Sequence, residues 1–191
     1  LRGEAGDSLL DSYGLERGGH VTALTTRIKH IGQLIGERDP ARARDRDARL
    51  LAEAGGVVRP TPRQDVQPAL AQGLLADEAH PARGTLFPQA WINAGHGASG
   101  RMDDSLGCGW RLILAGNTDE DWTPISASAW PGLRVVRLGD HGLVEAHGVL
   151  ARWFERHQVK AAIIRPDHYV FGVATKPDEI RHQIEALRRI F

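Results

Sequence analysis

Arg165, Asp167, His168 and Tyr169 lie within a few positions of one another in the stretch IIRPDHYVFG (163–172). A cation, a carboxylate, an imidazole and a phenol are the groups that general acid–base chemistry uses. The flanking residues argue otherwise. Ile163 and Ile164 before the cluster, and Val170 and Phe171 after it, read as the two arms of a hairpin. Pro166 presets φ and Pro–Asp favours the tight part of a turn. A contact between Arg165 and Asp167, or a bond from Asp167 to the backbone, would set the register. This structural reading explains each residue, and the cluster is assigned no catalytic role.

The other chemical candidates are weaker. Cys108, flanked by Gly107 and Gly109, is the one cysteine. It excludes an internal disulfide and a thiolate zinc cluster, fits a reducing cytoplasm, and is expected to be a small buried residue near a turn. Nine histidines raise a metal hypothesis, but no H-E-x-x-H occurs. His141 and His147 are six apart and share a helix face poorly. NAGHGASG (93–100) places His96 and Ser99 in a glycine-rich loop that lacks G-x-S-x-G and reads as a turn. Neither a P-loop nor a G-x-G-x-x-G after a strand is present. No residue is assigned to catalysis, cofactor or metal.

Bulk properties narrow the partners. The chain has 191 residues with 24 basic and 24 acidic side chains, so it lacks the basic excess of a nucleic-acid binder. The dense charges of ERDPARARDRDAR (37–49) suit a solvated helix face. No apolar run approaches the roughly 20 residues that span a bilayer, and no signal peptide is read. The chain opens on Leu1 as if partway through something. It reads as a fragment or processed product, with a complete domain freed of a tag as the alternative.

The elements follow from periodicity. Val21, Leu24, Ile28, Ile31, Leu34 and Ile35 form a helical stripe that Gly18–Gly19 is expected to interrupt. Asp39 and Pro40 read as N-cap and first position of a helix that runs to about Ala54 and stops at Gly55–Gly56. Residues 57–84 hold four prolines and read as a linker with a turn or two of helix near 67–75. Short strands are expected at 110–115, 133–139, 160–165 and 168–174. A helix over 141–158 presents Leu143, Ala146, Val149, Leu150, Trp153 and Phe154. It is read as the right-handed crossover between parallel strands. A last helix, 176–191, buries Ile180, Ile184, Leu187 and Ile190 or Phe191 behind a capping box of Thr175 and Asp178. The fold class is α/β, a mixed sheet flanked by helices and preceded by a helical segment. Its order is that of a thioredoxin-like domain, whose redox C-x-x-C would fall in AGNTDEDWTP (115–124), where there is no cysteine.

LLDSYGLERGGHV (9–21) resembles the segment that follows the second flavin-contacting motif of class A FAD-dependent aromatic hydroxylases. Leu9, Leu10, Ser12, Tyr13, Glu16, Arg17 and His20 match, and Gly19 stands where the family usually has proline. IGERDPARARDRDARLLAEAGG, RQDVQPALAQGLL, ARGTLFPQAWI and RMDDSLGCGWRLI are similar to the 3-(3-hydroxyphenyl)propionate hydroxylase branch. IIRPDHYVFG is similar to the hairpin of its thioredoxin-like C-terminal domain. The resemblance implies three parts: a helical remnant of the flavin and substrate body (1–56), a linker (57–84) and a thioredoxin-like domain without redox cysteines (85–191). It implies a parent that uses FAD, NAD(P)H and O2 to hydroxylate a phenolic acid, the chemistry residing in the cofactor. This chain would then bind no FAD by itself. Its partners would be the rest of the hydroxylase and further copies of itself, with no nucleic acid or membrane. A free-standing thioredoxin-like binding module and a thiol enzyme using Cys108 are the alternatives.

Overall fold

The computed structural model describes residues 8–58, 60, 66–94, 98–116, 121–128, 132–139 and 142–190. It divides into two compact units. One is Arg17–Pro68, and the other joins Leu1–Glu16 to Ala69–Phe191.

The first unit is helical. Helix α1 runs unbroken from Ser8 to Ile35, so Gly18–Gly19 do not interrupt it. The first unit takes in most of α1, whose residues up to Glu16 fall in the second unit. A glycine in a helix interior costs roughly 1 kcal/mol, which a long ladder of i→i−4 bonds absorbs. Helix α2 (Pro40–Glu53) begins as expected, with Asp39 accepting from the backbone N–H groups of Ala41 and Arg42. Gly55 and Gly56 follow at positive φ, 68° and 79°, and end it. Along the apolar stripe Val21, Ile28, Ile31 and Ile35 are exposed, and Leu24 and Leu34 are half-buried.

The second unit is the α/β body. Its main sheet contains β3 (Trp110–Leu114), β4 (Leu133–Arg137), β6 (Ala161–Ile164) and β7 (Val170–Ala174), in the order β4-β3-β6-β7. The β3–β4 pair is parallel, and β3–β6 and β6–β7 are antiparallel. Every residue of β3, β6 and β7 is buried, which is why these strands read as continuous apolar runs rather than alternations. One face packs Ile113, Leu150, Phe154, Ile164 and Val170 into a cluster. The other packs Leu112, Ile163, Phe171, Ile180, Ile184 and Leu187.

Helix α5 (Val149–His157) corrects the expected helix over 141–158. Val144–Glu145 forms strand β5 instead, and Gly148, at φ 59°, turns the chain into the helix. Ala146 and His147 are exposed, and His141 lies outside the described residues. Nor is α5 a parallel crossover, because it leads from β4 to β6, which run in opposite directions. The parallel pair β3–β4 is bridged by the short helix α4 (Thr123–Ser128).

Helix α6 (Pro177–Arg188) buries Ile180, Ile184 and Leu187, while Ile190 is 36% exposed. Its cap is Glu179, not Asp178. Glu179 Oε2 accepts from the N–H groups of Thr175 and Lys176, at 2.8 and 3.2 Å. The helix starts one residue later than the expected box requires, so the third helical position falls on Glu179. Asp178 pairs with Arg181 instead. Gly172 in β7 lets α6 and Ala76 approach closely, since a Cβ there would sit 2.7 Å from that of Ala76.

Two features were not expected. A second, antiparallel sheet β2-β1-β5 is built from Trp91–Ala94 (β1), Ala98–Arg101 (β2) and β5, with helix α3 (Met102–Leu106) after β2. Residues 69–84 also belong with the α/β body. No helical turn forms over 67–75. The segment instead supplies hydrogen bonds to β7, from Ala76 N–H to Phe171 O and from Gly84 N–H to Val170 O. It covers an edge that would otherwise be open.

Candidate functional site

The hairpin between β6 and β7 is a tight turn with a bulge. His168 N–H donates to Arg165 O, and Arg165 N–H donates to Tyr169 O. Pro166 and Asp167 occupy the centre, and His168 follows at φ 68°. A type I turn followed by one left-handed residue is a standard three-residue hairpin loop, and glycine usually takes that last place. The antiparallel pairing of the two arms is as expected.

The turn's side chains join two networks. Arg165 is buried, and every N–H of its guanidinium is used. Nε donates to Asp167 Oδ1 at 3.0 Å, and Nη2 to Asp167 Oδ2 at 2.8 Å. Nη1 and Nη2 donate to Glu16 Oε1 and Oε2, at 2.7 and 2.8 Å. Nη1 also reaches Leu74 O at 2.9 Å. Two carboxylates therefore hold the planar guanidinium bidentately, the geometry that suits arginine and not lysine. Leu74 N–H donates in turn to Glu16 Oε1 at 2.7 Å. Burial by itself would raise the Glu16 pKa, but the Arg165 and Leu74 hydrogen bonds and the Arg165 charge outweigh it and hold it below the usual range. Burial likewise opposes the Arg165 charge, and its bonds to Glu16 and Asp167 overcome that and raise its pKa.

The second network starts at His168. Its Nε2 lies 2.8 Å from Asp103 Oδ2. Arg111 Nη1 donates to Asp103 Oδ1 at 2.7 Å, Gln89 Nε2 donates to Oδ2 at 2.6 Å, and Arg111 Nη2 reaches Gly107 O. Burial pushes the Asp103 pKa up, but Arg111, His168 and Gln89 together bring it below its ordinary value. Asp103 thus meets Arg111 on one oxygen, and Gln89 and His168 on the other.

Of the sequence candidates, Arg165, Asp167 and His168 are brought into these networks by their side chains, and Tyr169 joins the first through its backbone N–H, which donates to Asp167 Oδ1 at 3.4 Å. Cys108 is exposed, which corrects the expectation of a buried thiol, because Gly107 and Gly109 at φ 68° and 128° carry it on a turn after α3. Ser99 accepts from Trp91 Nε1 at 3.2 Å across the β1–β2 pair, and His96 lies outside the described residues. Among the described residues no group of three His, Cys, Asp or Glu could hold a metal. Sequence reasoning missed Glu16 as the partner of Arg165, 149 residues away. It also missed Arg111, whose position inside the apolar run WRLIL was itself a signal, since a charge in a buried strand requires a partner. A concavity of about 670 Å³ opens beside the ends of β3 and β4, lined by Ala115, Gly116, Leu138, Gly139 and Phe154 among others. The carboxylate of Glu145, which also lines it, is spent on capping α5 through Leu150 and Ala151 N–H.

The fold is that of the C-terminal region of flavin-dependent aromatic hydroxylases. Aklavinone-11 hydroxylase, solved with FAD and aklavinone, superposes with a TM-score of 0.60 at 20% identity, covering 97% of this chain and 37% of that one. Anhydrotetracycline hydroxylase from Streptomyces rimosus gives 0.58 at 20% identity, over 99% and 36%. Residues 84–189 match the HcaD C-terminal domain, and the chain belongs to that family. A probable NADH-specific resorcinol 4-hydroxylase of Rhodococcus jostii (strain RHA1) is 33% identical over 185 residues, 91% of this chain and 33% of the relative. A 3-(3-hydroxyphenyl)propionate/3-hydroxycinnamic acid hydroxylase of Mycolicibacterium gilvum (strain PYR-GCK) is 28% identical over 94% of this chain and 36% of its own length. The chain spans about a third of the length of these relatives.

A pyrophosphate is typically held by free N–H groups at a helix N-terminus. Here the first N–H groups of α2 donate to Asp39 and those of α5 to Glu145, while Glu179 accepts from the N–H groups of Thr175 and Lys176 just before α6.

Proposed function

We propose that the chain serves as the C-terminal part of a flavin-dependent monooxygenase that hydroxylates a phenolic aromatic acid with NAD(P)H and O2. The observation that carries this reading is the similarity to the Rhodococcus hydroxylase over 91% of the chain. The chain's role is structural and oligomerising. Residues 1–56 belong to the flavin and substrate body, residues 57–84 connect, with 69–84 packed along the α/β body, and residues 85–191 form a thioredoxin-like domain without redox cysteines. FAD and the nicotinamide act on parts of the enzyme outside these residues, in the cytoplasm. The exposed stripe of α1 supports a covering partner, either the flavin-binding body or a second copy of the chain. Among the described residues no helix is long and apolar enough to cross a membrane.

The reading is tested by expressing the reading frame that continues upstream of Leu1 and assaying NADH and NADPH oxidation with resorcinol and with 3-(3-hydroxyphenyl)propionate. Substrate-dependent oxidation with a hydroxylated product is expected. An upstream frame without a G-x-G-x-x-G dinucleotide fold would sink it. The single-cysteine thiol enzyme has no observation in its favour, since the exposed Cys108 has no second cysteine anywhere in the chain.

A further inference from the structure

The Arg165 guanidinium is the point at which the start of α1 is tied to the α/β body. It sits at the base of the hairpin, 8% exposed, and Glu16, also 8% exposed, reaches it from two turns into the helix. Among the described side chains of α1 none before Glu16 is buried, and Leu10, Tyr13 and Leu15 are 74%, 66% and 57% exposed. Apolar packing therefore holds this end of the helix weakly, and the ion pair has to do the positioning. Gly73, at φ 110°, makes room for the carboxylate, because a Cβ there would lie within 2.7 Å of Glu16 Cδ. Leu74 then offers both its N–H and its C=O to the pair. The glycine turn, the doubly bidentate arginine and the helix carboxylate form one fitted socket.

We infer that Arg165 is a positioning residue which, through Glu16, fixes the first turns of α1 against the hairpin and the 73–74 turn. The inference goes beyond the proposed hydroxylase reading and stands or falls without it.

Amide hydrogen exchange on the full chain tests it, because Leu74 N–H donates directly to Glu16 and the amides of Ser12 to Glu16 report the helix start. In Arg165→Met these amides exchange faster by about tenfold to a hundredfold, the range expected for loss of charged hydrogen bonds, while those of β3 and β6 keep their rates. Arg165→Lys, with fewer donors and no fork, falls between. Unchanged protection at Leu74 and at 12–16 overturns the inference, as does an equal acceleration of every amide. If Arg165→Met does not fold, Glu16→Ala is followed at the same amides. Faster exchange confined to them upholds the inference, and unchanged or uniformly faster exchange overturns it.

Discussion

Helices α1 and α6 carry apolar residues at similar helical spacing, and the outcomes are opposite. In α6, Ile180, Ile184 and Leu187 are essentially inaccessible, closed under the sheet. In α1, Val21, Ile28, Ile31 and Ile35 are 40% to 76% exposed. A hydrophobic period shows which face of a helix is meant to be covered. It does not show by what. The polar residues invert the pattern. In the α/β body arginines 111 and 165 are buried with carboxylates against them, whereas α2 carries its arginines half-buried or exposed with no buried residue at all.

The sharpest way to break that comparison is a matched pair of truncations. Ile184→Ala empties a filled site and costs about 2–5 kcal/mol in urea unfolding. Ile28→Ala removes an exposed side chain from a helix in which alanine is favoured, and falls within about 0.5 kcal/mol. A cost near that of Ile184→Ala would mean that the α1 stripe is covered in solution. Sedimentation of the same two proteins would then tell a second copy from an intramolecular cover.

What could be read from the sequence follows the same division. The four strands of the main sheet, the hairpin and α6 were legible because each is a local apolar run with clear punctuation. The mutual contact of Arg165 with Asp167 was legible because the two are neighbours across a single proline. The small sheet was not. Its strands are two to four residues long and include glycine, too short for a period to emerge. The start of α5 was misplaced because Leu143 and Ala146 continue its spacing, although Val144 and Glu145 are taken by β1. The partner of Arg165 was out of reach, since no local pattern links residue 16 to residue 165. Glu16 stood in a recognised motif and still gave no hint of what it binds.

The second prediction concerns acid, where the buried pairs of the body separate from the exposed charges of α2. Glu16 and Asp103 both have lowered pKa values in the folded chain. A carboxylate depressed on folding contributes stability that is fully present above its unfolded pKa of about 4 and is lost as pH falls through the folded value. The wild-type chain should therefore lose urea stability steadily below about pH 4. Glu16→Gln should be less stable than wild type at neutral pH, with the gap closing as the pH falls. A gap that stays constant into strong acid would mean that the Glu16 charge is not what the fold uses.

The smallest effect is expected at Cys108, and it tests the contrast from the exposed side of the body. The thiol is on the surface between two glycines at positive φ, so the turn is shaped by its neighbours and not by the cysteine. Cys108→Ser changes one exposed atom, and surface substitutions of that kind stay within about 0.5 kcal/mol. Cys108 is the one cysteine of this sequence, so no second thiol among these residues could resolve an oxidised Cys108. The variant should match wild type in urea unfolding and, in the assay of the proposed hydroxylase, in nicotinamide oxidation and product yield. Loss of hydroxylation with folding and flavin content intact would place Cys108 in the chemistry and overturn the structural reading of this domain.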